Sequence, residues 1–104
     1  MPDCIRKSRI VLNEFFTTRE YVSLNRVAEK HNTDVECVKE IINHWDDWYT
    51  VEWDGSGKAR LTPTPRWFDE WAIPFILRGD EKARYDFRTI FTAHGRQWPP
   101  KARK

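Results

Sequence analysis

Apolar positions recur at helical spacing near the start of the chain, where Ile5, Val11, Leu12, Phe15 and Phe16 share one broad face. Arg6, Lys7, Arg9 and Asn13 fall largely on the opposite side, so an amphipathic helix is predicted over 3–18. Tyr21 and Val22 form a short extended link after it. A second helix follows over 24–31, with Ser23 placed to cap its first turn and Leu24, Val27 and Ala28 facing inward. His31, Asn32 and Thr33 make a turn, in which Asn32 tolerates the left-handed conformation. Thr33 and Glu36 read as a capping box for a third helix over 34–45. Val35, Val38, Ile41, Ile42 and Trp45 recur along it, which makes it the clearest amphipathic helix in the chain.

The period then changes. Asp46 and Asp47 end the third helix, and 48–53 alternates and is rich in β-formers. The Asp54-Gly55-Ser56-Gly57 tetrapeptide is a hairpin tip, and the chain returns over 58–62. Thr64 and Pro65 open a fourth helix with Trp67, Phe68 and Trp71 as its apolar set, and Pro74 should kink or stop it. A fifth helix is predicted over 80–94, with Phe87, Ile90 and Phe91 inward and Gly95 as its terminator. The fold class is therefore α+β, mostly α: three helices and a β-hairpin, followed by two C-terminal helices. One domain is expected over 1–95, with 96–104 as a basic, flexible tail.

The block from Ser23 to Ile42 resembles a bacterial helix-turn-helix. Val27-Ala28 matches the apolar-plus-alanine step at which two such helices cross closely, and Val38 and Ile41 fall where the motif buries its recognition helix. The hairpin ending in Arg60-Leu61-Thr62 before a new helix is similar to the wing of winged-helix regulators, so the resemblance to that superfamily covers about 5–71. It implies a small prokaryotic or phage regulator that grips duplex DNA with its third helix and wing. It also implies a homodimer through the C-terminal helices, whose Phe75, Ile76, Phe87, Ile90 and Phe91 either complete the core or form the dimer seam. On this resemblance Lys39 and Asn43 would read bases in the major groove, and Lys58 and Arg60 would hold phosphates from the wing. Arg6, Lys7 and the basic tail would help.

The chain departs from that pattern at two places. Asn32 stands where the superfamily usually has glycine, a modest change because asparagine also visits positive φ. The first turn of the third helix carries Asp34 and Glu36, with Glu40 one turn on, where groove-reading residues are usual. A carboxylate facing phosphates is repelled, and a cytosine amino group is its natural base partner. Asp34 and Glu36 also have a structural role, because acids in a first turn favour the helix dipole. The rival reading is a protein-docking module. Its acidic, tryptophan-bearing face would comprise Glu36, Glu40, Asp46, Asp47, Trp48 and Trp53, and would meet a basic partner.

Composition narrows the remaining classes. A length of 104 residues suits one domain, and 33% charged with 39% hydrophobic residues belongs to an ordinary soluble protein. Net charge is only +2, so its distribution carries more than its sum: 45–63 is net negative and 79–104 net positive. Six Trp and six Phe let a small chain bury much apolar area, and also leave rings for a partner surface. No apolar run reaches the ~20 residues of a membrane span or follows Arg6, Lys7 and Arg9 as a signal peptide would, so a cytoplasmic protein is expected. Cys4 and Cys37 form no redox or metal motif and read as free buried thiols in a reducing compartment. His31, His44 and His94 are scattered, and Cys37 and His44 lie about two turns apart on one helix. No catalytic group, cofactor or metal is therefore expected.

Overall fold

The computed structural model describes residues 3–79 and 84–101. Within them the chain is α+β and mostly helical, with one small antiparallel sheet. The order is α1 (Asp3–Arg6), α2 (Ser8–Phe16), β1 (Val22–Ser23), α3 (Leu24–Lys30) and α4 (Val35–His44). A 3-10 turn at Asp46–Trp48 leads to β2 (Tyr49–Trp53) and β3 (Lys58–Pro63). A π-helical segment (Trp67–Ala72), α5 (Ile73–Leu77) and α6 (Phe87–Ala93) complete the path.

The first helix is two helices rather than one. The break falls at Lys7, with φ −87° and ψ 4°. Next to it the Ser8 hydroxyl donates to the Ile5 carbonyl at 2.6 Å and accepts the Trp45 indole N–H at 2.8 Å. A side-chain bond to the backbone thus competes with the helical ladder at that point. The predicted apolar face survives the break, since Ile5, Val11, Leu12, Phe15 and Phe16 are all buried.

Ser23 caps α3 as its position suggests, accepting from the Arg26 N–H at 3.3 Å, and Leu24, Val27 and Ala28 are buried. Asn32 takes φ 53°, and the Thr33 N–H donates back to the Ala28 carbonyl at 2.8 Å. These two features reverse the chain between α3 and α4. The cap of α4 differs from the expected Thr33–Glu36 box. Asp34 is the N-cap, and its Oδ1 accepts from the Cys37 N–H at 2.8 Å. A carboxylate in the extended conformation one residue later reaches the same orphan donors and adds charge at the positive end of the dipole. Val38, Ile41 and Ile42 are fully buried beneath the helix.

In the sheet β3 is central, flanked by β1 and β2, and Val22 and Trp53 both face Ala59 across it. Ala59, Leu61 and Pro63 alternate inward along β3, so one sheet face closes the core while the other is wet. Tyr49 anchors the first residue of β2 by donating its hydroxyl to the Ile42 carbonyl at 2.6 Å.

The C-terminal half departs further from the predicted pattern. Pro74 does not stop the fourth helix. The chain widens into π geometry over Trp67–Ala72, with the Ile73 N–H bonded to the Phe68 carbonyl, and passes through Pro74 to Leu77. The wider turn precedes the residue that has no N–H to offer. The fifth helix begins at Phe87 rather than near 80, because Asp86 caps it: its carboxylate accepts from the Thr89 N–H at 3.3 Å and from the Thr89 hydroxyl at 2.7 Å. Residues 80–83, where that helix was expected to start, lie outside the described residues, as do 102–104 of the tail. Gly95 ends α6 at φ 70°, with the Arg96 N–H returning to the Phe91 carbonyl at 2.7 Å.

Ile90, Phe91 and Phe75 are buried within the chain and complete its core. Phe16 is a hub, 5.5 Å from the Tyr49 ring and 5.1 Å from the Trp67 ring, while Phe68 meets Phe91 edge-on at 5.0 Å. The start of the tail is tied to the body. Trp98 packs on Phe91 at 5.4 Å, and the Arg96 guanidinium covers Phe68 at 4.4 Å while pairing with Asp69 at 3.2 Å.

The expectation of free thiols is corrected. Cys4 and Cys37 form a disulfide, with Cα atoms 5.5 Å apart, that ties α1 to the first turn of α4. Their separation in sequence hid the pairing, because only the packing of α1 against α4 brings the two Cβ atoms together.

Candidate nucleic-acid interface

α4 turns its apolar side into the core and leaves Glu36, Lys39, Glu40, Asn43 and His44 along a shallow, open depression. Lys39 is drawn toward Glu36, its Nζ 3.8 Å from the carboxylate one turn back. Asn43 is exposed, and no hydrogen bond from its side chain to another described residue occurs. The face is therefore mixed in sign, and Asn43 adds an exposed amide to it.

The hairpin that follows it in the chain is held from within. At the tip, the Asp54 carboxylate accepts from the Ser56 N–H at 2.8 Å, the Ser56 hydroxyl at 2.8 Å and the Lys58 N–H at 3.1 Å. The Ser56 backbone bond is the largest of the effects that hold the Asp54 carboxyl below its ordinary range. Lys58 stands exposed at the foot of β3. Arg60 is committed elsewhere: it pairs with Glu52 directly across the strands at 2.6 Å and lies 4.7 Å from the Tyr21 ring centre. The Arg60 hydrogen bond is the main cause of the lowered Glu52 pKa. An arginine so engaged is less free to neutralise a phosphate than its sequence position suggests.

The remaining predicted cations separate in space. Lys7 donates its Nζ to the His31 and Asn32 carbonyls, each at 3.0 Å, and so binds the turn between α3 and α4. Arg6 is exposed on α1 and lines a different cavity, together with Arg9. Arg26, which sequence reasoning passed over, is exposed in the first turn of α3. Its N–H bonds to Ser23, whose Cα pairs with that of Lys58, so Arg26 and Lys58 occupy the same corner of the molecule. Only the β1–β3 register reveals that corner, and no local pattern carried it.

The six residues of the rival docking face do not form one patch. Asp46, Asp47 and Trp48 come together in the 3-10 turn, where Trp48 is half-buried with the Arg66 guanidinium 4.4 Å from its ring centre. Trp53, 49% exposed, lies at the far end of β2, roughly 16 Å along the strand. Glu36 and Glu40 belong to the α4 depression.

Two histidines have structural partners. His31 Nε2 lies 3.0 Å from Glu14, which Lys30 also approaches at 3.0 Å. Burial pushes the Glu14 carboxyl up, but these two partners outweigh it and leave the pKa below its ordinary value. His94 Nε2 donates to the Phe16 carbonyl at 2.8 Å. Among the described residues no group of three His, Cys, Asp or Glu could hold a metal ion, and no helix is long and apolar enough to cross a membrane. Comparison with protein-family models, curated proteins and solved structures finds no match.

Proposed function

We propose that the chain is a winged-helix module that binds duplex DNA. The observation that carries this reading is the uncovered outer face of α4, presented by a helix–turn–helix and followed by a hairpin, with exposed cations at the α3–β3 corner. In this reading α4 enters the major groove, and Asn43 and Lys39 approach base edges. Lys58 and Arg26 hold phosphates on either side of the β1–β3 contact. Arg60 keeps the hairpin in shape through Glu52 and Tyr21. Glu36 and Glu40 supply discrimination, because a carboxylate in the groove is tolerated beside a cytosine amino group and repelled elsewhere.

Fluorescence anisotropy with random-sequence duplex DNA tests this at about 50 and 200 mM salt. Micromolar binding that fades with salt is expected. The double variant Arg26→Gln/Lys58→Gln should reduce the salt slope by about two, one for each phosphate no longer neutralised. An unchanged slope would remove these two residues from the interface, and absence of binding at the lower salt would sink the DNA reading.

One observation favours a second reading, a protein-docking module. Lys39 is paired with Glu36 and Arg60 with Glu52, while Glu40, Asp46 and Asp47 are exposed and in no ion pair among the described residues, which leaves uncompensated negative charge on α4 and the turn after it. A basic peptide that binds where duplex DNA does not, and that is released by Glu36→Gln/Glu40→Gln, would establish it.

A further inference from the structure

Behind the junction of α4 and β2 lies a cavity of about 260 Å³ whose walls are largely aromatic. Trp45, Trp48, Trp67, Trp71 and Tyr85 contribute ring surface to it. Trp71 is stacked between Trp67 at 5.6 Å and Phe75 at 4.9 Å, so its orientation is fixed before anything enters. Two cations, Arg6 and Arg9, stand in the lining, and both are exposed. The Arg9 guanidinium lies over two rings, 5.7 Å from the Trp71 centre and 5.6 Å from that of Phe75, which stands outside the lining. Among the described residues the lining holds no carboxylate. Burial raises the Tyr85 pKa despite the opposing charge of Arg9, so its phenol stays a neutral O–H at neutral pH.

We propose that this cavity binds a small planar aromatic carboxylate, its ring against the tryptophans and its anion on Arg6 and Arg9. The size fits one or two fused rings, since drug-sized ligands need ~300 Å³ or more. Offset or edge contacts with the rings favour a flat aromatic body over a flexible chain. Two guanidiniums without an opposing carboxylate select an anion, and a guanidinium can hold a carboxylate with two parallel bonds. The cavity shares no residue with the exposed face of α4, so this inference is independent of DNA binding.

Calorimetric titration with 2-naphthoate, 2-naphthamide, 2-naphthylmethylammonium and octanoate tests it on the intact protein. Saturable binding of 2-naphthoate is expected, with 2-naphthamide about tenfold weaker because a charge-assisted bond becomes a neutral one. The ammonium compound should not bind, and octanoate should bind more weakly than 2-naphthoate. The variant Arg9→Gln, at an exposed position and checked for an unchanged thermal midpoint, should lose about tenfold in 2-naphthoate affinity. Indole N–H resonances locate the ligand: those of Trp45, Trp48, Trp67 and Trp71 should shift, while those of Trp53 and Trp98 stay. Equal affinity for acid and amide would overturn the anion assignment, and equal affinity for octanoate would overturn the aromatic one. No saturable binding, or shifts confined to Trp53 and Trp98, would overturn the site itself. The three charge analogues on the unaltered protein decide the matter even if Arg9→Gln proves unstable.

Discussion

His94 sits at the C-terminal end of α6, with its Nε2 bonded to the Phe16 carbonyl and its ring 6.3 Å from that of Phe68. Burial is the largest cause of its lowered pKa, reinforced by the charge of Arg19 and opposed by the bond to Phe16. The folded state thus binds a proton less readily than the unfolded one, whose histidine titrates near 6.5. Stability is therefore full above that value and is lost as pH falls through the folded pKa. Urea unfolding at a series of pH values should show this loss, with a slope of no more than about 1.4 kcal/mol per pH unit for one proton. His94→Gln should flatten that part of the profile relative to the parent chain. Lys7 makes a different point at the same scale. Its charge faces solvent in any helical projection, yet its Nζ satisfies two carbonyls at the end of α3. Charge type reads directly from a sequence, whereas the carbonyls that recruit a long side chain depend on how two helices meet.

Among the elements, the cap of α4 gives the sharpest test. Asp34→Ala should cost about 1 kcal/mol of stability, because the Cys37 N–H loses its acceptor, while Thr33→Ala should leave stability nearly unchanged. Equal losses at the two positions would restore the Thr33 capping box. Much of the element order was legible: the 3.6-residue period located α2, α3 and α4, and the alternation with a glycine-bearing tip located the hairpin. Asn32 at φ 53° was legible for the same reason, since local stereochemistry governs it. What escaped was tertiary in origin. Ser8, beside the break at Lys7, is also held by the Trp45 indole from 37 residues away. The passage through Pro74 depends on a wider helical turn that seats Trp67 and Phe68 in the core. In the candidate site, residue types on α4 and the hairpin were legible, but their pairing was not. Lys39 with Glu36 follows a local i,i+3 rule, whereas Arg60 with Glu52 and Tyr21 needs the strand register.

At the scale of the whole molecule, the Cys4–Cys37 bond joins the two ends of the segment that contains α2, β1 and α3. With a separation of 33 residues between its ends, the chain-entropy account gives about 3–4 kcal/mol of stabilisation through restriction of the unfolded chain. Unfolding with and without reductant should differ by that amount, and Cys4→Ser/Cys37→Ser should match the reduced protein. No difference would mean that the bond contributes little beyond the packing of α1 on α4. The closed segment has one more consequence. A protease that cuts the exposed link at Arg19–Tyr21 would open the ring without releasing either piece, because Cys4 would still hold the N-terminal fragment to α4. The clipped protein would run as a single species on a non-reducing gel and as two fragments after reduction.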